Sequence, residues 1–328
     1  MRVLVVGGAG YIGSHAARAL RRRGHEVVIY DNLCAGHAFL AGGFELIVGD
    51  TSNSAKLATV LQRVDAVMHF AAHACVGESV AQPRKYFHNN VQCGLALLHA
   101  VLNSPVRKFI FSSTCAVYGA PAALPIKENA PCLPVNPYGA TKLLLEHALE
   151  AYDRAYDLRF VSFRYFNAAG ADESGEIGEV HSPETHLIPA AYEAISGDRP
   201  ALEIYGDDYA TRDGTCVRDY VHVNDLAEAH ALGLEYLESG PSVALNLGAG
   251  RGHSVLEILS AIEQVSGCRV SRRIAPRRAG DPAELVADPG RARKILGWQT
   301  TRSLEQVIST AWNWHQRQAW RRAAPPAA

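Results

Sequence analysis

Gly7-Gly8-Ala9-Gly10-Tyr11-Ile12-Gly13, close to the N-terminus, is the part of the sequence that indicates the fold. It has the spacing Gly-x-x-Gly-x-x-Gly and lies between an apolar segment typical of a buried strand and an amphipathic segment typical of a helix. The first glycine permits a tight turn, the second lets a pyrophosphate approach the backbone, and the third packs the helix on the strand. The stretch therefore predicts a dinucleotide site of the Rossmann type.

The chain repeats this order of strand and helix up to about residue 165. The predicted strands are Val3–Val6, Glu26–Tyr30, Glu45–Val48, Ala66–Phe70, Lys108–Ser112 and Arg159–Arg164, and the predicted helices are Ile12–Arg23, Ser54–Arg63, Pro83–Leu102 and Tyr138–Tyr156. Such alternation is typical of a parallel sheet with helices on both faces. It predicts an α/β fold with a Rossmann-type doubly wound parallel sheet.

Beyond residue 165 the pattern becomes irregular. Glycine and proline breaks separate one strand-like segment, Val243–Leu247, from helical segments near 254–266 and 303–319. We therefore expect a dinucleotide-binding domain in residues 1–165 and a smaller mixed α/β substrate-binding lobe mainly in residues 166–328. Segments near 220–248 are expected to return to the first domain.

A carboxylate at the end of the second predicted strand bears on the choice of dinucleotide. Asp31 follows Gly13 by 18 residues, near the position where an acid binds the ribose hydroxyls of NAD. A 2′-phosphate would face this negative charge, and the next residues, Asn32 and Leu33, supply no arginine. NAD is therefore favoured over NADP as the cofactor.

Charge and composition exclude several classes of protein. The 328 residues contain 32 Lys and Arg against 33 Asp and Glu, which gives no electrostatic signature of a nucleic-acid or membrane-surface partner. No apolar run approaches the roughly 18 residues that a membrane span needs. Seven cysteines without a Cys-x-x-Cys pair favour a reducing, cytoplasmic location. We expect no metal site, because His69 and His73 have no third ligand at matching spacing.

Two segments supply candidate catalytic groups. Tyr138 and Lys142 are four residues apart on a predicted helix and therefore share one face. A phenol has a pKa near 10, and a neighbouring ammonium together with an oxidised nicotinamide is expected to lower it. Thr114 follows the fifth predicted strand at the carboxyl edge of the sheet, where open α/β sheets bind ligands. Its hydroxyl is placed to donate to a substrate hydroxyl.

Together these motifs resemble the extended short-chain dehydrogenase/reductase superfamily, and most closely the UDP-glucose 4-epimerases. The resemblance covers residues 1 to about 318. Further matching motifs are Asp31-Asn32-Leu33, Val76-Gly77-Glu78-Ser79-Val80, Asn89-Asn90-Val91, Arg164-Tyr165-Phe166-Asn167, Gly206-Asp207-Asp208-Tyr209, Arg218-Asp219-Tyr220-Val221-His222-Val223, Asn246-Leu247-Gly248-Ala249-Gly250, Arg277-Arg278-Ala279-Gly280-Asp281 and Leu296-Gly297-Trp298.

The resemblance implies a mechanism for NAD-dependent epimerisation of UDP-glucose and UDP-galactose. Tyr138 removes the proton of the hydroxyl on carbon 4 while that carbon gives its hydride to NAD. Thr114 occupies the Ser/Thr position of the family, and Lys142 tunes Tyr138 and binds the nicotinamide ribose. The resulting 4-keto sugar turns, presents its other face and takes the hydride back.

The resemblance also implies the binding residues. Those expected at the cofactor are Gly7, Gly10, Tyr11, Ile12, Gly13, Asp31, Asn32, Asp50, Thr51, Phe70, Ala71, Ala72, Asn90, Ser112, Tyr138, Lys142 and Tyr165. Those expected at the UDP-sugar are Thr114, Tyr138, Phe166, Asn167, His186, Leu187, Tyr205, Arg218, Arg278, Asp281 and Leu285. Arg218 and Arg278 match the arginines that bind the diphosphate.

Some positions separate this chain from its relatives. Related dehydratases carry an acid after the Ser/Thr position, whereas Thr114 is followed by Cys115 and Ala116, which favours epimerisation. Ala74 replaces a cofactor-facing lysine, and His186 replaces an asparagine near the uracil. Leu285 stands where tyrosine or cysteine sets the size of the sugar pocket, so UDP-N-acetylhexosamines and UDP-pentoses stay open as substrates.

Two other functions and the quaternary structure complete the expectations. A net NAD-dependent oxidoreductase and a non-catalytic dinucleotide sensor are the alternatives to an epimerase. Steady formation of NADH would indicate the oxidoreductase, and full activity without the Tyr138 hydroxyl would contradict the assigned mechanism.

In the family, the helices predicted at 83–102 and 138–156 pair with a second subunit as a four-helix bundle, which implies a homodimer.

Overall fold

The structure, a computed structural model, describes residues 1–278 and 280–323. Residues 324–328, at the end of the range predicted for the second lobe, lie outside the described residues. The strands are β1 Arg2–Val6, β2 Glu26–Asp31, β3 Glu45–Val48, β4 Ala66–His69, β5 Lys108–Thr114, β6 Arg159–Tyr165, β7 Asn167–Ala169, β8 Leu202–Tyr205, β9 Val217–His222, β10 Val243–Leu247, β11 Gly252–Ser254, β12 Arg272–Ala275 and β13 Glu284–Leu285. The α-helices are α1 Tyr11–Arg22, α2 Ser54–Leu61, α3 Val76–Ala81, α4 Pro83–Tyr86, α5 Cys93–Leu102, α6 Pro137–Tyr156, α7 Leu187–Ser196, α8 Val223–Tyr236, α9 Val255–Ser266, α10 Gly290–Leu296 and α11 Leu304–Ala323.

The main sheet has seven parallel strands in the order β10-β6-β5-β4-β1-β2-β3. The chain moves outward from β1 to β3 on one side and from β4 onward on the other. This reversal leaves a crevice at the carboxyl ends of β1 and β4, which is where open α/β sheets bind ligands. The predicted Rossmann-type doubly wound sheet is confirmed.

Alternate residues of the strands build two cores, one on each face of the sheet. Val3 and Val5 belong to a core that includes residues of α1 and α8. Leu4 and Val6 point the other way, into a core that includes residues of α2, α5 and α6. Because side chains along a strand alternate between faces, the unbroken apolar run of β1 fills both layers at once.

The helix predicted at Pro83–Leu102 is interrupted. Between α4 and α5, residues Phe87–Gln92 form a π-helical turn. A π turn holds one extra residue per turn and is frequent at functional sites. Here it places the buried Asn90 side chain against the segment that follows β4, where its amide donates to the carbonyl oxygen of His73 at 3.0 Å and accepts from the N–H of His73 at 2.9 Å.

The second half of the chain forms two small sheets beside the main one. The strand β9 pairs with β7, β11 and β13, and β8 pairs with β12. Some later elements join the first half instead, because β10 is an edge strand of the main sheet and α8 packs on α1. The domain boundary near residue 165 stays a prediction. Within the described residues, none of the helices combines the length and the apolarity required to cross a membrane.

A buried ion pair joins α6 to β6 behind the crevice. The Nε atom of Arg164 donates to the two carboxylate oxygens of Glu146 at 3.0 and 3.1 Å, and both side chains are at least 90% buried. Ser113 donates its hydroxyl to the same carboxylate, and Arg164 also donates to the Tyr118 hydroxyl at 3.1 Å. These contacts satisfy a charge pair that is otherwise costly to bury.

We predict that Glu146→Gln lowers the free energy of unfolding by about 3 kcal/mol, because it leaves the buried guanidinium of Arg164 without a counter-charge. Urea unfolding of the two proteins measures the difference. The matched control is Glu45→Gln, since Glu45 forms exposed ion pairs with Arg2 and Arg63 and should contribute less than about 1 kcal/mol. Equal effects of the two substitutions would contradict the prediction.

Candidate active site

One cavity of about 990 Å³ runs from the carboxyl ends of the main strands to the small sheets. All the site residues predicted from the sequence line it, with the exceptions of Asp50 and Asn90. The cavity therefore brings the glycine turn, the Tyr-x-x-x-Lys helix and the two predicted arginines to one space. Its volume is at the upper end of the range for small-molecule sites, which suits two large ligands.

The glycine turn is packed so closely that side chains at its glycines would clash with backbone atoms. Gly7 has a φ of +80°, and a Cβ atom there would lie 2.4 Å from the backbone nitrogen of Ala71. A Cβ atom on Gly13 would lie 2.3 Å from the carbonyl oxygen of Gly7. Gly10 precedes the first residue of α1, and the first turn of that helix, with its unpaired N–H groups, lines the cavity. The residues thus fit a dinucleotide pyrophosphate at a helix N-terminus.

Asp31, at the end of β2, is held by the same turn. Its carboxylate accepts hydrogen bonds from the N–H of Ala9 at 3.0 Å and from the N–H of Leu33 at 2.8 Å. Burial raises the pKa of Asp31, and the two N–H donors oppose this shift. Each carboxylate oxygen retains acceptor capacity toward the cavity, which fits the ribose hydroxyls of NAD and opposes a 2′-phosphate.

Tyr138 lies in the first turn of α6, and local packing sets its place. Asn136 caps the helix by accepting from the N–H of Gly139 at 2.9 Å, and Pro137 occupies the first helical position. A Cβ atom on Gly139 would lie 2.5 Å from the carbonyl oxygen of Ala116, so the helix meets the turn after β5 by direct backbone contact. This contact places Tyr138 within hydrogen-bond reach of Thr114.

The pKa of Tyr138 in the chain alone lies above the ordinary value of a phenol. Burial raises it to about 12, and the hydrogen bond with Thr114 opposes this shift. The expected lowering by Lys142 is therefore not produced by the chain alone, because the loss of water around the phenol outweighs the help of its neighbours. A cationic ligand group beside the phenol is the remaining source of that lowering.

Lys142 is buried one turn further along α6. Its ammonium donates to the carbonyl oxygen of Ser112 at 2.7 Å and lies 5.0 Å from the centre of the Phe111 ring. Burial lowers the pKa of Lys142 to about 7, and the negative charge of Glu146 opposes the shift. Tyr165 donates its hydroxyl to the Ser112 side chain. Ser112, Lys142 and Tyr165 thus form one wall of the cavity.

The two predicted cofactor residues outside the lining act on residues that do line it. Asn90 also donates to the Thr141 hydroxyl at 3.1 Å, and that hydroxyl donates to the carbonyl oxygen of Tyr138 at 2.7 Å. Asp50 accepts from the side-chain amide of Asn32 at 2.7 Å, and its hydrogen bonds with Ser52 lower its pKa. Both residues therefore position the cofactor end of the cavity from outside.

The far end of the cavity carries the two arginines. Arg218, on β9, is buried and pairs with the Asp281 carboxylate, while its guanidinium also donates to the carbonyl oxygen of Val217 at 2.8 Å. Arg278 stacks on the Tyr205 ring, with 3.8 Å between the guanidinium carbon and the ring centre. Leu285 pairs in register with Arg218 across β13 and β9. These groups offer two guanidinium ions to an anionic ligand.

The cavity is also lined by four residues that were not predicted as site residues, Cys115, Glu179, His181 and Glu184. Cys115 is buried with Phe166 and Leu285, and burial raises the pKa of its thiol to about 12, so its side chain packs in this small core. Glu179, His181 and Glu184 line the cavity beside His186 and were missed by sequence reasoning. The sequence feature that could have revealed them is the spacing Glu-x-His-x-x-Glu-x-His over residues 179–186.

The fold and the site define a Rossmann-type nucleotide-binding protein of the short-chain dehydrogenase/reductase class. Residues 3–248 match the model of the NAD dependent epimerase/dehydratase family. A UDP-glucose 4-epimerase of Halalkalibacterium halodurans is 48% identical over 320 residues, with 96% of each chain covered. The chain belongs to this family and, within it, to the UDP-glucose 4-epimerases.

Solved structures agree with this assignment. A UDP-glucose 4-epimerase from Brucella ovis in complex with NAD is 50% identical, with a TM-score of 0.92 and coverage of 94% of this chain and 97% of that one. One from Stenotrophomonas maltophila with bound NAD and formylated UDP-arabinopyranose is 42% identical, with a TM-score of 0.94 and coverage of 99% and 100%.

We predict that Lys142 contributes stability to the nucleotide-free protein as the pH rises from 7 toward 10, against an opposing contribution from His181, whose pKa Glu179 and Glu184 raise to about 10 despite its burial. The folded pKa of Lys142 is about 7, below its ordinary 10.5, so over this range Lys142 is more protonated in the unfolded chain than in the folded one. The slope contributed by this group is at most about 1.4 kcal/mol per pH unit. Urea unfolding as a function of pH should show a less positive slope for Lys142→Met and an unchanged slope for the exposed Lys56→Met. Equal slopes in all three proteins would refute the assignment.

Proposed function

We propose that the chain is an NAD-dependent 4-epimerase that interconverts UDP-glucose and UDP-galactose through a transient 4-keto sugar. The observation that carries the proposal is the single cavity that joins the glycine turn, the Tyr138 and Thr114 pair and the two arginines. A cofactor and a sugar nucleotide bound end to end in this space would meet at Tyr138. The names of the relatives support the same activity.

The cofactor end is assigned to the first half of the chain. The N–H groups at the start of α1 hold the pyrophosphate, Asp31 accepts from the adenosine ribose, and Lys142 lies at the nicotinamide ribose. When bound, NAD supplies a reversible hydride acceptor for carbon 4 of the sugar. With NAD bound, the phenol of Tyr138 would gain a positively charged neighbour, which would lower the pKa that burial raises in the chain alone.

Proton transfer is assigned to Tyr138 with Thr114. The Tyr138 phenolate takes the proton of the hydroxyl on carbon 4 and returns it after the sugar has turned. Thr114 is within hydrogen-bond reach of the phenol, so its hydroxyl orients both the phenol and the sugar hydroxyl. The direct backbone contact of Gly139 with Ala116 keeps the two hydroxyl groups at a set separation.

The nucleotide end is assigned to the second half of the chain. Arg218 and Arg278 bind the diphosphate, and Asp281 binds the uridine ribose while it holds Arg218 in place. The side chains that border the sugar and the base are Phe166, Asn167, His186, Leu187, Tyr205 and Leu285. Because the diphosphate is held by cations at one end, the 4-keto sugar is able to turn without leaving the cavity.

The residues after Thr114 favour epimerisation over elimination. A dehydratase needs an acid beside the keto sugar to expel water, and this position holds Cys115, whose pKa is raised to about 12 by burial. With no proton donor of that kind, reduction is the step left to the keto sugar. Return of the hydride to one face or the other of the keto sugar then gives the two epimers.

Two features support proposals about assembly and location. Phe87, in the π-helical turn, and Leu144, on α6, belong to neighbouring helical segments and are 41% and 45% exposed. They fit a homodimer in which these helices pair with those of a second copy as a four-helix bundle. The seven free cysteines fit a reducing cytoplasm.

We predict that Tyr138→Phe lowers turnover of UDP-glucose by about 10² to 10⁴-fold, because the phenol is the proton-transfer group. The control Tyr156→Phe, at the exposed end of the same helix, should retain wild-type turnover. The products of UDP-glucose, UDP-N-acetylglucosamine and UDP-xylose are resolved by chromatography while absorbance records NADH. Full activity of Tyr138→Phe would exclude the assigned mechanism, and NADH formed in proportion to substrate would identify a net oxidoreductase.

We also predict that Leu144→Glu shifts the protein from dimer to monomer in sedimentation velocity, because a charge at the centre of an apolar bundle is costly. The control Ile274→Glu changes a residue that is 53% exposed on β12, away from these helices, and should leave the dimer intact. A wild-type protein that sediments as a monomer at micromolar concentration would disprove the dimer.

A further inference from the structure

Four potential metal ligands converge in the segment between β7 and α7. Glu179, His181, Glu184 and His186 each offer one donor atom, and all four atoms lie within 4.8 Å of one another. Two donors are imidazole nitrogens and two are carboxylate oxygens. The cluster lies in the cavity wall beside Leu187, at the end assigned to the sugar nucleotide.

The two imidazoles meet on one carboxylate oxygen. The Nδ1 atom of His181 lies 3.0 Å from Oε1 of Glu179, and the Nδ1 atom of His186 contacts the same oxygen. Oε1 of Glu184 lies 3.8 Å from the Nδ1 atom of His181. In a tetrahedral zinc site, bond lengths of about 2.0 to 2.2 Å place ligand atoms roughly 3.3 Å apart. The separations of 3.0 and 3.8 Å lie on either side of this value, and all pairs of donor atoms stay within 4.8 Å.

The surroundings hold the donor atoms in place. Oε1 of Glu184 accepts from the N–H groups of Thr185 and His186, each at 2.8 Å. The indole N–H of Trp314, on α11, donates to the carbonyl oxygen of Glu179 at 2.8 Å. A Cβ atom on Gly178 would lie 2.5 Å from the Trp314 ring, so the segment is packed tightly on the last helix. Outer contacts of this kind orient the ligands of metal sites.

The donor set selects the class of cation. Calcium and magnesium prefer six or more oxygen ligands, whereas a set of two imidazoles and two carboxylates suits zinc. Both carboxylates form their ion pairs with these histidines, and the side chain of Glu179 is only 7% exposed. A divalent cation would neutralise the two buried carboxylates and use all four donor atoms.

We propose that Glu179, His181, Glu184 and His186 form a structural zinc site that fixes the wall of the sugar-nucleotide end of the cavity. The proposal departs from the expectation that the chain holds no metal, which weighed only His69 and His73. It also gives the imidazole of His186 a different task from contact with the uracil. The consequence for substrate binding rests on the proposed function, whereas zinc binding itself does not.

The test measures metal binding directly on the full-length protein. The protein is dialysed against a chelator and then titrated with Zn²⁺ by calorimetry, and with Co²⁺ followed by absorbance, whose visible bands report tetrahedral coordination. Mg²⁺ is titrated in parallel. The variants are Glu179→Gln, His181→Gln and His186→Gln. The control is His25→Gln, because His25 directly precedes β2 at the amino ends of the main strands, whereas the cavity lies at their carboxyl ends. Circular dichroism confirms that each variant is folded.

We expect one Zn²⁺ per chain, a tetrahedral Co²⁺ spectrum, no response to Mg²⁺ at the same concentrations, and a melting temperature that rises with Zn²⁺. His186→Gln, whose side chain is 45% exposed and should fold normally, is expected to weaken Zn²⁺ binding at least tenfold, whereas His25→Gln should not. Zn²⁺ binding unchanged in all three ligand variants, or absent from the wild type, would overturn the proposal and identify the cluster as a set of ion pairs. Because these measurements do not involve turnover, their outcome does not depend on whether the epimerase assignment is correct.

Discussion

The turn from β1 into α1 can form only because residues 7 and 13 lack side chains. A side chain at residue 7 would place its Cβ atom 2.4 Å from the backbone nitrogen of Ala71. A side chain at residue 13 would place its Cβ atom 2.3 Å from the carbonyl oxygen of Gly7. The close approach joins the end of β1 to the segment after β4, across the point where the strand order reverses. The start of α1, the Asp31 carboxylate and the segment that Asn90 holds all take their places from this contact. The cofactor end of the cavity is therefore set by backbone geometry.

Burial, more than pairwise charge, controls the reacting groups. It raises the pKa of Tyr138 and lowers that of Lys142, so both groups are driven toward their neutral forms in the chain alone. A neutral phenol is a poor base, which makes the site inert until a cation is placed beside it. The same dry surroundings strengthen the effect of that cation once it binds, because water is not present to screen it. Under the proposed function, the chemistry is thus coupled to occupancy of the cofactor site.

Sequence reasoning predicted those parts of the fold and site that depend on neighbours in the chain. The strands of the main sheet, the glycine turn, Asp31 and the Tyr138 helix each have a local pattern, and the structure shows all of them. The π turn at Phe87–Gln92 has no such pattern, since its extra residue is stabilised by contacts of Asn90 with His73 and Thr141. The pairing of β9 with three short strands also depends on distant segments. The cluster at residues 179–186 was missed for another reason, because its spacing matched no expected motif.

Under the proposed function, the two ends of the cavity bind their diphosphates through different interactions, and this difference explains how a chain with a net charge of −1 would hold two such anions. At one end, N–H groups of a helix start carry partial positive charge without any ionised side chain. At the other, Arg218 is buried and already paired with Asp281, so an incoming diphosphate must share or replace that carboxylate. A guanidinium has donors enough for both partners, since Arg218 has five N–H groups and uses some of them on backbone carbonyl oxygens. Asp281 then keeps the arginine oriented before the ligand arrives, which lowers the entropy lost on binding.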